Sequence, residues 1–282
     1  MAARARAIAE VPLEDFNESI NILVHAWPGQ GKTRWAIGAP NCVLASSEPG
    51  AVSAKRHARA LRRKDVGLVK LQTWEDALAF RDELESGAFD HRHWAIIDTI
   101  STLQRKNQNE VVDRAVADNP RRDPDIPALP DYLKQQNSLM RWVERMVDHP
   151  INTIWLAHTM RVEDVDGGAM MMPTILGGQD KGFPVANYVM GLMNCVGYME
   201  MRGVKGENGS KKMVRRILWQ PYHDPDKDIR YIAKDHFGVL GRWTDDMTFP
   251  EHLALIEGST DADDEATEQP KKATRRVARA AA

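Results

Sequence analysis

The chain is poor in cysteine, carries almost no net charge and has no apolar run long enough to enter a bilayer. Its two cysteines, Cys42 and Cys195, sit inside apolar runs and have neither the spacing of a metal knuckle nor that of a disulfide framework. They read as core residues of a reduced, intracellular protein. A formal charge of −2 supplies no general attraction to polyanions, so any nucleic-acid contact must come from a local cluster of Lys and Arg. No stretch approaches the roughly 18 apolar residues that span a membrane, and the Arg-containing N-terminus lacks the apolar segment of a signal peptide. A soluble, cytoplasmic protein without membrane contact is expected. What the chain does have is 282 residues at 43% hydrophobic content, enough for one large α/β domain with a tail.

The most informative stretch is Ile22-Leu23-Val24-His25-Ala26-Trp27-Pro28-Gly29-Gln30-Gly31-Lys32-Thr33, an apolar strand running into a glycine loop that ends in Gly-Lys-Thr. Gly29 and Gly31 carry no side chain to keep backbone N–H groups from wrapping phosphates. Lys32 can reach the terminal phosphates, and Thr33 offers a hydroxyl to Mg²⁺. Ala26 stands where the motif usually has its first glycine, a position at the strand exit that need not touch phosphate. The pattern predicts ATP and Mg²⁺ as ligands, with Pro28, Gly29, Gln30, Gly31, Lys32, Thr33 and Arg34 as the nucleotide contacts.

Strand-like and helix-like runs then alternate: Cys42–Ala45, Val52–Lys64, Gly67–Leu71, Thr73–Ser86 and Trp94–Asp98. This alternation predicts βαβ units and a mostly parallel sheet. Thr73 and Asp76 occupy capping-box positions, with Trp74, Ala77, Leu78, Arg81 and Leu84 along one face of the helix that follows. Between Leu103 and Asp131 the periodicity disappears and prolines accumulate, which predicts a long irregular excursion. A helix resumes at Asp131 with Leu133, Gln136, Met140, Val143 and Val147 at near-helical spacing, and Ile151–Ala157 follows as a buried strand. Arg161–Gly182, rich in Gly and Met, reads as a second irregular stretch. Val189–Met201, Met213–Trp219 and Ile229–Lys234 are β-compatible, Gly203–Ser210 is a hairpin connection, and Pro250–Glu257 a closing helix. The expected organisation is an N-terminal segment over 1–19, an ATPase domain over 20–257 and a charged, disordered tail over 258–282.

Further side chains complete the expected chemistry. Trp94-Ala95-Ile96-Ile97-Asp98 is a strand ending in a carboxylate, which makes Asp98, with Thr33, the expected Mg²⁺ partner. Cys42-Val43-Leu44-Ala45-Ser46-Ser47-Glu48 is another apolar strand, and Glu48 at its end suits a base that orients and deprotonates the attacking water. His158, ending Ile154–Ala157, senses the γ-phosphate, is a satisfied core histidine or caps the strand end.

This order of parts resembles the RecA-like core ATPases, over about Ile20 to Ile256. The resemblance implies an α/β RecA-like P-loop fold: a mostly parallel central sheet, helices on both faces, and an antiparallel C-terminal extension. It places the catalytic glutamate at Glu48, the magnesium-side acid at Asp98 followed by Thr99, and a polar switch at His158, where RecA itself has Gln. Leu176-Gly177-Gly178-Gln179-Asp180-Lys181-Gly182 looks like the stretch after the family's second DNA-binding loop. Lys181 would then be either a basic residue reaching a neighbouring subunit's nucleotide or a solvated surface lysine. The compact form, with Ala233-Lys234-Asp235 late in the antiparallel section, is similar to phage-encoded members of the single-strand annealing and recombination type. Arg105, Lys106, Arg121, Arg122, Arg161 and Lys181 become candidate phosphate contacts. The resemblance implies an ATPase acting on single-stranded DNA in recombination, annealing or replication, assembled as a homo-oligomeric ring or filament, with a single-strand-binding protein as a further possible partner. A ring-forming DNA motor and a small-molecule kinase are the alternative expectations.

Overall fold

The computed structural model describes residues 19–163, 167–177, 184–205 and 210–258. Strand β1 (Asn21–Ala26) is buried along its whole length and feeds the glycine loop and the short helix α1 (Lys32–Ala36). Then come β2 (Cys42–Ser46), α2 (Ala51–Ala60), β3 (Gly67–Lys70), α3 (Trp74–Glu85) and β4 (Trp94–Asp98). Two long helices, α4 (Ile100–Asp118) and α5 (Leu129–Val147), lead to the hairpin β5 (Asn152–Glu163) and β6 (Ala169–Pro173). The chain continues through α6 (Pro184–Leu192), the ribbon β7 (Cys195–Lys205) and β8 (Lys211–Leu218), and the short strands β9 (Tyr222–Asp224), β10 (Ile229–Tyr231), β11 (Lys234–Asp235) and β12 (Trp243–Asp245). Helix α7 (Phe249–Ile256) follows.

Strand order across the main sheet is β3-β2-β4-β5-β1-β7-β8-β12. The six strands from β3 to β7 pair in parallel, while β8 and β12 join antiparallel. This is a mixed α/β fold with a mostly parallel central sheet and antiparallel C-terminal strands. Because side chains alternate across a strand, the sheet feeds two separate cores. Leu23, Val43, Ala45, Ala95 and Ile97 point into one, packed by α3, α4, α5 and α6. Ile22, Val24, Cys42, Leu44 and Ile96 point into the other, covered by Trp35 of α1, Ala54 of α2 and Phe249 of α7. Burial on both faces explains why the parallel strands read as continuous apolar runs. Aromatics are only 7% of the chain, yet Trp94, Trp142, Trp155 and Trp219 are all fully buried. Truncating such an indole typically costs about 3–5 kcal/mol.

Several sequence expectations need correction. The irregular excursion over Leu103–Asp131 is mostly the helix α4, with only Asn119–Ala128 non-helical. Its buried face contains Gln104 and Asn107 beside Ile100, Leu103, Val112 and Ala115, so polar residues occupy positions where apolar periodicity was sought. Asn107 Nδ2 donates to the Gln135 carbonyl at 3.1 Å, which offsets part of the cost of that burial, while its Oδ1 has no partner among the described residues. In α5 the buried set is Asp131, Gln135, Leu139, Trp142, Val143 and Met146, while Leu133 is exposed. The face is rotated from the expected one because Trp142 docks against Trp74 and Trp155 and donates to Ala77 O at 2.9 Å. On α3, Phe80 is a buried member that the expected stripe omitted. Part of the second irregular stretch is the β5–β6 hairpin, and Val189–Met201 splits into the end of α6 and the start of β7. Segments 1–18, 206–209 and 259–282 lie outside the described residues, and so do most of the expected N-terminal segment, the hairpin tip and the tail beyond Gly258. Among the described residues no helix is long and apolar enough to cross a membrane.

Two buried histidines make stability depend on pH. His25, at the centre of the sheet, lies with Nε2 3.3 Å from Ile232 O, so that nitrogen donates and Nδ1 accepts from the Thr159 hydroxyl at 2.9 Å. Burial is the main cause that pushes its pKa from 6.5 down to about 4, and the Lys32 charge adds to it. His252 of α7, under Trp35 and Trp219, is also pushed down to about 4 by burial, against the Thr248 carbonyl and Glu251, which act upward. Between about pH 6.5 and 4 the unfolded chain therefore binds more protons than the folded one at these sites, and stability is lost as pH falls through that window. Asp98, pushed up to about 6 chiefly by burial, works in the opposite sense and offsets part of the loss. Urea unfolding from pH 7 to pH 4 is expected to show a net fall on the order of 3 kcal/mol. A flat profile would mean that the two imidazoles charge without cost in the folded protein.

Candidate functional site

The strand ends come together at the carboxyl edge of the parallel sheet, the place where open α/β sheets hold their ligands. Register aligns Ala26 of β1 with His158 of β5, Leu156 with Asp98 of β4, and Asp98 with Ser46 of β2, two residues before Glu48. Four strand ends far apart in sequence are thereby brought to one edge of the sheet.

The glycine loop leaves β1 with Trp27, Pro28 and Gly29 exposed. Gly29 and Gly31 adopt φ of +80° and +93°, a left-handed backbone that costs a side-chain-bearing residue 1 kcal/mol or more, by rough estimate. Gln30 ties the loop to β7, its Oε1 accepting from Met201 N at 2.6 Å. Lys32 is buried, and its Nζ donates to Ala26 O at 3.0 Å. Burial pushes its pKa down, opposed by the charges of Asp98 and Glu48. Thr33 Oγ1 donates to Asp98 Oδ2 at 2.9 Å, so the two expected metal partners face each other directly. Arg34, the last expected nucleotide contact, is exposed at the exit of the loop.

Glu48 sits at the centre of a hydrogen-bond cluster. Its Oε1 accepts from Thr99 Oγ1 at 2.7 Å, Thr102 Oγ1 at 2.8 Å and His158 Nε2 at 2.8 Å. Burial pushes the carboxyl up, but the two threonines and His158 outweigh it, and the net direction is down. Glu48 is therefore ionised at neutral pH. The Asp98–Thr99 peptide is cis, and the Ser47 hydroxyl lies 3.1 Å from both Asp98 O and Thr99 O. His158 N donates to Ser101 Oγ at 3.0 Å, which anchors β5 to the first turn of α4. His158 Nδ1 is buried without a partner among the described residues.

Lys32, Thr33, Glu48, Asp98 and His158 thus occupy one site. Lys181 lies outside the described residues. Among the other basic candidates, Lys106 is spent on Leu71 O and Gln72 O at 2.7 Å each, and Arg122 pairs with the buried Asp131. Arg105, Arg121 and Arg161 are exposed, but Arg105 and Lys106 stand on α4 and Arg161 on β5 rather than on loops. Sequence reasoning named Thr99 only as the residue following Asp98, without its bond to Glu48, and missed Thr102, although two threonines spaced i,i+3 directly after an acid-tipped strand are a legible signal. It also missed Arg215 of β8, for which no local signal exists.

The donor set fits a magnesium–triphosphate. Among the described residues no group of three or more His, Cys, Asp or Glu side chains could hold a metal ion. A Mg²⁺ held through Thr33 and Asp98 would complete its shell with phosphate oxygens and water. No family model matches the chain and no curated protein matches it, so the functional reading stands on this geometry.

Proposed function

We propose that the protein is a RecA-like ATPase that hydrolyses ATP in response to single-stranded DNA. The observation that carries this reading is the convergence of Lys32, Thr33 and Asp98 with a Glu48 carboxylate held by Thr99, Thr102 and His158. Backbone N–H groups of the glycine loop and the Lys32 ammonium would bind the phosphates, and Thr33 and Asp98 would hold a Mg²⁺, which when bound would supply charge stabilisation to the phosphate oxygens. Glu48, ionised and fixed in orientation, positions the attacking water and takes its proton.

Coupling to DNA is supported by the way the site is wired to exposed structure. His158, bonded to Glu48, lies three residues before the exposed Arg161 on the same strand, β5. Thr99 and Thr102 open α4, and Gln104 of that helix binds both backbone groups of Leu176, with Oε1 accepting from Leu176 N at 2.7 Å. A shift at Glu48 therefore has two short mechanical routes to the surface. Phosphate contacts from Arg105, Arg121 and Arg161 would bind the DNA, and assembly into a homo-oligomer would extend the contact along the strand.

The test is the ATPase rate of the purified protein with and without single-stranded DNA, alongside its mass in solution. Stimulation of tenfold or more, with mass growing when ATP and DNA are both present, is the expected result. Hydrolysis that ignores DNA but responds to a metabolite would overturn the proposal in favour of a kinase. Unassisted translocation along duplex DNA would favour a motor.

A further inference from the structure

We propose that Arg215 of β8 is a phosphate-binding residue of the same chain's glycine loop, reaching a non-terminal phosphate of a bound nucleoside di- or triphosphate. The inference rests on the nucleotide reading above and adds a residue, a direction of approach and a location in cis.

Geometry places the side chain there. A Cβ built on Gly31 would meet the Nε and Nη2 atoms of Arg215 at 3.0 Å each, so the guanidinium lies against the glycine that precedes Lys32. In the sheet, Arg215 pairs with Met201, whose backbone N–H holds Gln30 of the same loop. Alternation along β8 decides the side: Ile217 shares Arg215's face and packs in the core with Ala26 and Trp35, while Leu218 belongs to the aromatic cluster on the opposite face. β8 stands two strands from β1 on one flank, and β4 with Asp98 stands two strands away on the other. The site thus has its acids on one side and this arginine on the other. A side chain approaching at Gly31, away from the metal side, meets a phosphate that a diphosphate retains.

Among the described residues no acid forms an ion pair with the guanidinium, although the charge of Asp246 favours its protonated form. Arg216 next to it is engaged by Asp245 at 2.6 Å and lies over Trp243. Asp246, the acid nearest Arg215, is otherwise engaged: Oδ1 accepts from the Arg215 backbone N at 2.8 Å and Oδ2 pairs with Lys212 at 3.2 Å. Asp246 N also donates to Arg215 O at 2.7 Å, so the backbone of Arg215 is clasped on both sides. Its Nε is buried without a hydrogen-bond partner among the described residues. Burial and the charge of Arg34 push the Arg215 pKa down, and burial with both arginines does the same to His57 of α2. Three basic groups thus lie close enough at the exit of the glycine loop to disfavour one another's charge. Such a cluster is unfavourable by itself and becomes favourable when a polyanion enters, because a phosphate offers the guanidinium fork two acceptor oxygens.

The test is calorimetric titration of the full chain with MgADP and with MgATP, for wild type, Arg215→Ala, Arg215→Gln and Arg215→Lys. Alanine and glutamine are expected to weaken both nucleotides tenfold or more, equivalent to about 1.4 kcal/mol, and lysine to restore part of the loss. The nucleotide-free unfolding midpoint is expected to stay unchanged or rise, since a like-charge contact is removed. Wild-type affinity in the alanine and glutamine variants, with wild type itself binding, would overturn the role of Arg215 alone. Failure of wild type to bind either nucleotide would overturn the nucleotide reading itself. Restoration of hydrolysis on mixing Arg215→Ala with Lys32→Ala subunits would assign the arginine to a neighbour's site and overturn its action in cis.

Discussion

Lys32→Ala is expected to lower ATP hydrolysis by at least 10³-fold while leaving the protein folded. Removing one positioned donor to a developing phosphate charge costs on the order of 10²–10³ in other enzymes, and here the same ammonium also holds the ground-state triphosphate. The effect on stability is small because two opposing contributions cancel. Lys32 is buried, with a pKa driven down by burial, so its charge is desolvated at a cost that the bond to Ala26 O only partly offsets. Truncation removes the cost together with the bond, and the net change is expected within about 1 kcal/mol. Steady-state hydrolysis with a parallel thermal melt checks both halves. A rate within tenfold of wild type would remove Lys32 from the chemistry, and a collapse of the melting point would show that it is a structural cation.

Glu48→Gln should separate binding from turnover. The amide has the size of the carboxylate, and its oxygen can still accept from Thr99, Thr102 and His158. Nucleotide affinity is therefore expected within a few-fold of wild type, while hydrolysis falls by about 10²–10⁴, the range for loss of a positioned general base. Wild-type turnover in this variant would mean that another group handles the water. The hydroxyl pair gives the cluster a direction: Thr99 and Thr102 hold the residue in place whether it is charged or not, and only the carboxylate can take a proton.

Much of the fold was legible because both faces of the parallel sheet are buried. That burial turns β1, β2, β4 and β5 into short apolar runs with helices between them, and Asp98 and the Gly-Lys-Thr loop lie where such runs stop. Legibility failed where polar residues are buried in pairs. Gln104 bonds the backbone of Leu176 and Asn107 Nδ2 the backbone of Gln135, while Asn107 Oδ1 and Gln135 Nε2 are buried without partners among the described residues, and these buried polar positions erased the apolar stripe on which the reading of Leu103–Asp131 depended. It failed again at α6, where a nine-residue apolar helix and an apolar strand share one composition.

Local sequence determined the glycine loop, the acid-tipped strands and the capping box of α3, since each depends on residues within a few positions of one another. The tertiary structure alone decided which of the remaining polar groups share a site. Arg215 and Gly31 are separated by most of the chain and meet because β7 pairs with β1 on one edge and β8 on the other. The same pairing turned Arg216 to the opposite face. A strand's period of two sends neighbouring arginines to opposite sides, and the long-range register that selects the side is written in no local stretch of residues.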